Sequence, residues 1–313
     1  MSAAMGTMRD AYGEALLELG ASNPKVVVVG ADTTGSMKSG IFATKFPARF
    51  FNLGIAEQNL VGVAAGLAHA GKIVYAGTYA IFVPGKCVDQ IRNNVCYPDL
   101  DVKLVVSHGG ISVGPDGASH QQVEDIAIMR AIPKMKVIVP SDSVSTKVII
   151  KAVAEIHGPV YIRLTRPSSQ IVYENGFSYE LGKANVLREG SDIAVFACGL
   201  MVPEALKAAD SLKAQGVNAS VIDLHTIKPI DTGTIVKFAT SCGRVVTAEE
   251  HNVMGGMGSA VAEVLGENRP VPMKRVGVMD TFGESGDAKE LMKKYGLTAA
   301  NIEAAATALV KSR

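Results

Sequence analysis

Short runs of β-branched residues recur along this chain, separated by longer amphipathic segments, and that alternation admits few folds. Antiparallel strands can be joined by tight turns, whereas parallel strands need a crossover of about a dozen residues or more, usually a helix. The pattern therefore predicts an α/β fold whose sheets are mostly parallel and covered on both faces. In the first half it predicts strands at 25–29, 72–76, 102–107, 137–139 and 160–164. Helices are expected at 8–19, 57–69, 85–96, 123–130 and 143–156, the last opening on the capping residues Pro140, Ser141, Asp142 and Ser143.

The pattern breaks at RPSSQIVYENGFSYELGK, a Pro-, Ser- and Asn-bearing stretch, and a second series then begins. Its strands are predicted at 193–197, 217–222, 244–248 and 274–278, with helices at 203–215, 231–240, 256–265 and 288–294. A chain of 313 residues fits two domains of ordinary size. We divide it into a first domain at 1–170, a linker at 171–188 and a second domain at 189–313.

Lys plus Arg number 31 against 30 Asp plus Glu, so nothing in the overall charge favours nucleic acid or an anionic membrane as partner. The opening MSAAMGTMRD lacks an apolar signal-peptide core, and no run of about 20 apolar residues follows. A soluble cytoplasmic protein is expected. Cys87, Cys96, Cys198 and Cys242 have no CxxC spacing and are expected as ordinary buried thiols.

In open parallel sheets ligands gather at the carboxyl ends of the strands. Three polar segments there, ADTTGS, GTYAIF and SHGGISVGPDGASHQ, follow predicted strands of the first domain. A fourth segment, FNLGIAEQNLVGVAAGLA, puts the single carboxylate Glu57 at the mouth of an apolar helix. Taken alone, Glu57 reads as a first-turn acid on the helix dipole; if buried, it would gain the raised pKa that lets a carboxyl share a proton near neutrality. Tyr79 and Phe82, three apart, are either core rings or a stacking surface for a flat ligand. His108, Asp116 and His120 share one glycine-rich loop, as hydrogen-bonded structural residues or as ligand contacts, and their spacing does not suit a metal. Arg9, Arg163 and Arg166 are either solvated charges or planar forks for a phosphate. Pro84-Gly85-Lys86 fails as a phosphate loop because Ala80 stands where the leading glycine belongs and Cys87 replaces Ser or Thr. GGMGS at 255–259 lacks a full dinucleotide fingerprint and reads as a close helix-to-strand packing site.

GIAEQN, TYAIF and HGGISVGPDGASHQ, in this order and spacing, resemble segments of the transketolase family, and the resemblance to its middle and C-terminal domains covers essentially the whole chain. It implies two doubly wound domains: the pyrimidine-binding domain of thiamine-diphosphate enzymes and the transketolase C-terminal domain. By that resemblance Glu57 holds the aminopyrimidine of thiamine diphosphate through the ring nitrogen para to its amine, and Phe82 with Tyr79 flanks the ring. Asp32 matches an acid near the thiazolium. Arg9, Ser36 and Arg166 match positions that bind the sugar phosphate, and His108, Asp116 and His120 match residues lining the sugar hydroxyls, where they assist proton movement.

Full-length members carry an additional N-terminal domain whose Gly-Asp-Gly segment and a later asparagine bind diphosphate and metal; this sequence has no Gly-Asp-Gly. The resemblance therefore implies a separate N-terminal transketolase subunit as partner. That subunit would hold most of the Mg2+ or other divalent cation, and this chain would be a homodimer within an α2β2 assembly acting on sugar phosphates. The alternatives are half of a 1-deoxyxylulose-5-phosphate synthase, which usually has arginine where Gly109 stands, a pyruvate dehydrogenase β subunit, a non-catalytic α/β binding subunit, and a dinucleotide- or flavin-binding protein.

Overall fold

The computed structural model describes residues 4–174 and 176–311. Two α/β layers form it. The first is a seven-stranded sheet in the order Thr226–Lys228, Lys136–Ile138, Val160–Arg163, Val102–Ser107, Ile73–Tyr79, Val26–Gly30 and Phe50–Asn52. All neighbours run parallel except the first pair. The second sheet has five strands, in the order Met273–Val278, Val245–Asn252, Ile193–Ala197, Ala219–Asp223 and Asn185–Arg188, with only the last antiparallel. This is the doubly wound, mostly parallel α/β architecture expected from the sequence.

Helices cover both faces because the strands are apolar on both. Val26 and Val28 face Met8, Tyr12 and Leu16 of helix Met8–Ser22, while Val27 and Val29 face Leu60 and Ala64 of helix Glu57–His69. Strand Val102–Ser107, helix Glu57–His69 and helix Ala288–Lys294 have the bounds the sequence predicts. The predicted helix at 85–96 instead begins at Phe82 and ends in a π turn over Ile91–Cys96. The predicted helix at 143–156 stops at Ala152, with a 3-10 turn beyond it. Its N-cap is Asp142, whose carboxylate accepts from the Ser145 amide at 2.7 Å. The four cysteines are buried and unbridged. Among the described residues, no helix is long and apolar enough to cross a membrane.

The two layers are welded. Strand Thr226–Lys228 leaves the second sheet's neighbourhood to pair antiparallel with Lys136–Ile138 at the edge of the first. Beneath it, one apolar cluster runs from Met129 and Val137 to Phe196, Ile222 and Leu224. A buried polar junction sits beside that cluster. Ser141 Oγ and Tyr173 Oη donate to Asp223 Oδ2 at 2.6 and 2.7 Å, joining the first sheet, the following segment and the second sheet at one carboxyl group.

Burial pushes the Asp223 carboxyl up to about 7, against the opposing pull of the Ser141 and Tyr173 hydrogen bonds. The folded state thus holds a proton that the unfolded chain releases near its ordinary carboxyl value. Asp223 therefore favours the fold at low pH and loses that contribution as pH rises towards 7. Asp223→Asn is expected to flatten this slope and to be the more stable form at pH 8, by on the order of 2 to 4 kcal/mol. Denaturant midpoints of both proteins between pH 4.5 and 8 check this; parallel pH dependences would contradict it.

Candidate active site

Every functional segment of the first domain leaves the carboxyl end of a parallel strand. Asp32 and Ser36 follow Val26–Gly30, Tyr79 ends its own strand with Phe82 just beyond, His108 follows Val102–Ser107, and Arg166 follows Val160–Arg163. Arg9 joins them from the first turns of helix Met8–Ser22.

Tyr79 is the hub of this arrangement. Its hydroxyl donates to Ser36 Oγ at 2.8 Å, and its ring stacks on His108 with centroids 3.9 Å apart. Phe82 lies 5.9 Å from Tyr79 on one side and meets His120 edge-on at 5.5 Å on the other. Tyr79, Phe82, His108 and His120 thus form one continuous aromatic wall. Glu57, at the first position of its helix and only 5% exposed, is joined to Phe82 through Lys86. Lys86 Nζ lies 3.2 Å from Glu57 Oε2 and 4.4 Å from the centre of the Phe82 ring.

The cationic corner is built differently. Arg9 donates through Nη1 to the Ser36 carbonyl at 3.0 Å and through Nη2 to the Arg166 carbonyl at 2.9 Å. Its Nε is buried with no protein partner. Arg166 donates to the Val113 carbonyl and lies 3.5 Å from Asp116 Oδ1. Burial lowers the Arg9 pKa; Asp10 opposes that, while the neighbouring Arg166 charge adds to it. Arg9, Ser112, Val113 and Arg166 line an open cleft closed on its other side by Gly286, Asp287 and Ala288. Two guanidinium groups face this cleft, Arg166 paired with Asp116 and Arg9 with an unpartnered Nε, and such planar forks suit an anion.

His108 sits between wall and corner. Its backbone is left-handed, with φ at 60°, and its Nδ1 lies 2.7 Å from Ser107 Oγ. Burial lowers its pKa to about 3, with the Arg9, Arg166 and His120 charges acting in the same direction.

The structure therefore brings together Glu57, Tyr79, Phe82, His108, His120, Ser36, Arg9, Arg166 and Asp116. Asp32 stands apart and exposed; its amide donates to Asn52 Oδ1 at 2.9 Å. Arg163 is not part of the corner. It is buried, bonded through Nε to Asp125 Oδ2 at 2.8 Å and through Nη2 to the Gln122 and Glu250 carbonyls at 3.1 and 2.9 Å. Sequence reasoning takes up Lys86 only within the failed phosphate loop, although four residues after Phe82 is the spacing that stacks side chains on one helix face. The 255–259 glycines are a close-packing site. A Cβ on Gly256 would lie 2.2 Å from Glu249 Oε2, and that carboxylate accepts the Met257 and Gly258 amides at 2.7 and 2.8 Å. Among the described residues, no group of three His, Cys, Asp or Glu side chains is placed to hold a metal.

Residues 4–170 match the transketolase pyrimidine-binding domain and residues 182–302 match the transketolase C-terminal domain. The chain belongs to the transketolase family. It is 50% identical over 298 residues to a putative transketolase C-terminal section of Methanocaldococcus jannaschii, covering 94% of this chain and 93% of that one. It is 44% identical to a 6-deoxy-6-sulfo-D-fructose transketolase subunit of a Clostridium species, covering 96% and 93%. A solved split-gene transketolase, described as an inactive beta4 tetramer, superposes with a TM-score of 0.91 at 51% identity over 97% of this chain and 98% of that one. The transketolase of Leishmania mexicana shares the fold, with a TM-score of 0.81 at 24% identity, and the matched region is 46% of that longer chain.

The transketolase wall makes one prediction of its own. With its pKa at about 3, His108 is neutral throughout the physiological range. Its ring resonances, assigned through a His108→Gln variant, are expected to stay flat between pH 5 and 8 in a nitrogen-15 titration. A midpoint near the ordinary 6.5 would show the ring to be solvated and the described packing to be wrong.

Proposed function

We propose that this chain is the C-terminal subunit of a two-chain transketolase. In this reading it moves a two-carbon ketol unit from a ketose phosphate to an aldose phosphate, with thiamine diphosphate as cofactor. The single observation that carries the reading is the wedge formed by Glu57, Lys86 and Phe82, joined through Tyr79 and Ser36 to a two-arginine corner. A buried carboxylate edge beside a ring face suits the aminopyrimidine, which offers a flat ring and a basic nitrogen. The Lys86 ammonium, held between that carboxylate and that ring, occupies the position in the manner of a small cationic stand-in.

Thiamine diphosphate, when bound, supplies the nucleophilic carbon and electron sink that side chains lack. The remaining roles fall to this chain. Glu57 holds a proton at the pyrimidine nitrogen, which requires Lys86 to swing aside into the solvent that already reaches half of its side chain. Phe82 and Tyr79 orient the ring. Arg9, Ser36 and Arg166 grip the phosphate and so place the far carbonyl for reaction. Asp116 and His120 contact hydroxyls and move protons among them, while His108, neutral and stacked on Tyr79, serves as a hydrogen-bonding ring beside them. Asp32 stands near the thiazolium and the subunit boundary.

The partner in this reading is an N-terminal subunit that binds diphosphate and a divalent cation, with two copies of each chain in a cytoplasmic assembly. Support comes from relatives of matching length described as a section or a subunit, and from a similar beta-chain tetramer described as inactive. In this reading the chain divides into a pyrimidine-binding domain at 1–170, a linker at 171–188 and a C-terminal domain at 189–313, although the matched range 182–302 and strand Asn185–Arg188, which pairs within the second sheet, start the second domain earlier than 189. The synthase alternative is disfavoured at Gly109. A Cβ there would lie 2.6 Å from Arg163 Nε, so an arginine side chain has no room.

A crossed experiment in the reconstituted complex tests these assignments. Glu57→Gln is expected to abolish hydrogen exchange at the thiazolium carbon while leaving sugar-phosphate affinity nearly unchanged. Arg166→Ala is expected to leave that exchange intact and to cost about 1.5 to 3 kcal/mol in kcat/KM for phosphorylated donors, with hydroxypyruvate nearly indifferent. Normal exchange in Glu57→Gln, or equal losses for both donor types in Arg166→Ala, would contradict the respective assignment.

A further inference from the structure

The loop that carries His108 and Asp116 is held from outside its own domain. It leaves strand Val102–Ser107 through two left-handed residues, His108 at φ 60° and Gly110 at φ 91°, then forms a 3-10 segment over Ile111–Asp116 broken at Gly114. Such a backbone satisfies few of its own amides, so partners elsewhere must fix its course. Gly110 N donates to the Gln122 carbonyl at 2.7 Å, within the loop region itself. Ser112 N donates to Glu250 Oε1 at 2.6 Å, across 138 residues of sequence.

We propose that Glu250 is a positioning residue for the transketolase reaction, through which the C-terminal domain sets the geometry of the His108–Asp116 loop. The inference rests on the assignment of that loop to the sugar substrate. Glu250 comes from strand Val245–Asn252 of the second sheet and is 3% exposed. Its own backbone is fixed, because its carbonyl accepts from Arg163 Nη2. Its carboxylate lies flat against Gly110, where a Cβ would come within 2.3 Å of Glu250 Cδ. Only glycine permits that approach and that φ together.

The contact falls at the middle of the functional loop. Two residues before Gly110, His108 stacks on Tyr79. One residue after Ser112, the Val113 carbonyl orients Arg166, and Asp116 pairs with the same guanidinium. A shift at 110–112 would therefore move the hydrogen-bonding histidine and the phosphate-gripping arginine at once. The carboxamide of Gln121 reinforces the arrangement, donating to the Ile111 and Gly114 carbonyls at 3.2 Å and to the Glu284 carbonyl of the C-terminal domain at 2.9 Å. Glu57 makes none of these contacts, its carboxylate pairing with Lys86.

The test compares Glu250→Ala, Glu250→Gln and Gly110→Ala in the reconstituted complex. In Glu250→Ala and Gly110→Ala, kcat/KM for a ketose phosphate is expected to fall on the order of a hundredfold, while thiazolium hydrogen exchange stays at the normal rate. Amide exchange at 109–113 should quicken in both variants, measured on the chain alone as well as in the complex. Glu250→Gln, which keeps a carbonyl acceptor for Ser112, should recover to within several-fold. The proposal is overturned by a folded Glu250→Ala with normal kcat/KM, by equal losses in ketol transfer and thiazolium exchange, or by unchanged 109–113 amides. If Glu250→Ala does not fold, Gly110→Ala decides by the same criteria. A wild-type complex with no ketol transfer would defeat the functional reading itself, whereas the amide exchange of the chain alone still judges the clamp.

Discussion

The buried guanidinium of Arg163, at the end of the strand beside Val102–Ser107, is the fixed point around which the site is arranged. It is 2% exposed and bonds to Asp125, to the carbonyl of Gln122 and, across the interface, to the carbonyl of Glu250. The facing carboxylate and burial act on it in opposite senses, and its pKa is raised overall. Breaking such a pair by removing one partner leaves an uncompensated buried charge, typically about 3 to 5 kcal/mol. Arg163 also fills the space beside Gly109, which excludes any side chain there. One interaction thus joins a strand end, the loop that follows its neighbour and the second sheet.

Around that fixed point the site keeps positive charge in tension with burial. Arg9 is drawn below the ordinary arginine value by burial and by Arg166, and its Nε has no protein partner. His108 is held neutral by burial, with the charges of the same two arginines acting in the same direction. In the proposed reading these features favour an anion, which would complete the hydrogen bonding of Arg9 Nε. The aromatic wall joins the arginine corner, through Ser36 and Tyr79, to Phe82 and the Glu57–Lys86 pair, so in the proposed reading the anion and the flat ring sit at opposite ends of one connected arrangement.

Much of this was legible in the sequence because parallel strands advertise themselves. Runs such as VVVVG and VKLVVS are apolar throughout, and the polar segments after them could belong only to strand ends. Glu57, Phe82, His108, Asp116, His120, Arg9, Ser36 and Arg166 meet where the topology requires. Other features depend on partners that sequence does not display. Thr226–Lys228 is a three-residue strand whose pairing is with the first sheet, and Phe50–Asn52 is an equally short edge strand. Helix Ala299–Lys311 is absent from the predicted elements, although Ile302, Ala306 and Leu309 mark a buried face at helical spacing. Arg163 and Arg166 are three residues apart and chemically identical, yet one is a buried tie and the other a cleft residue. Only the alternation of a strand with the loop after it separates them.

The central claim is that this chain supplies one end of an active site shared between two polypeptides. It is tested most directly by measuring ketol transfer from a ketose phosphate with the purified chain alone, with a partner chain bearing Gly-Asp-Gly alone, and with both mixed, at saturating thiamine diphosphate and magnesium. The account predicts transfer only in the mixture, saturating as one chain is titrated with the other. Robust turnover by this chain with the partner demonstrably absent would contradict it.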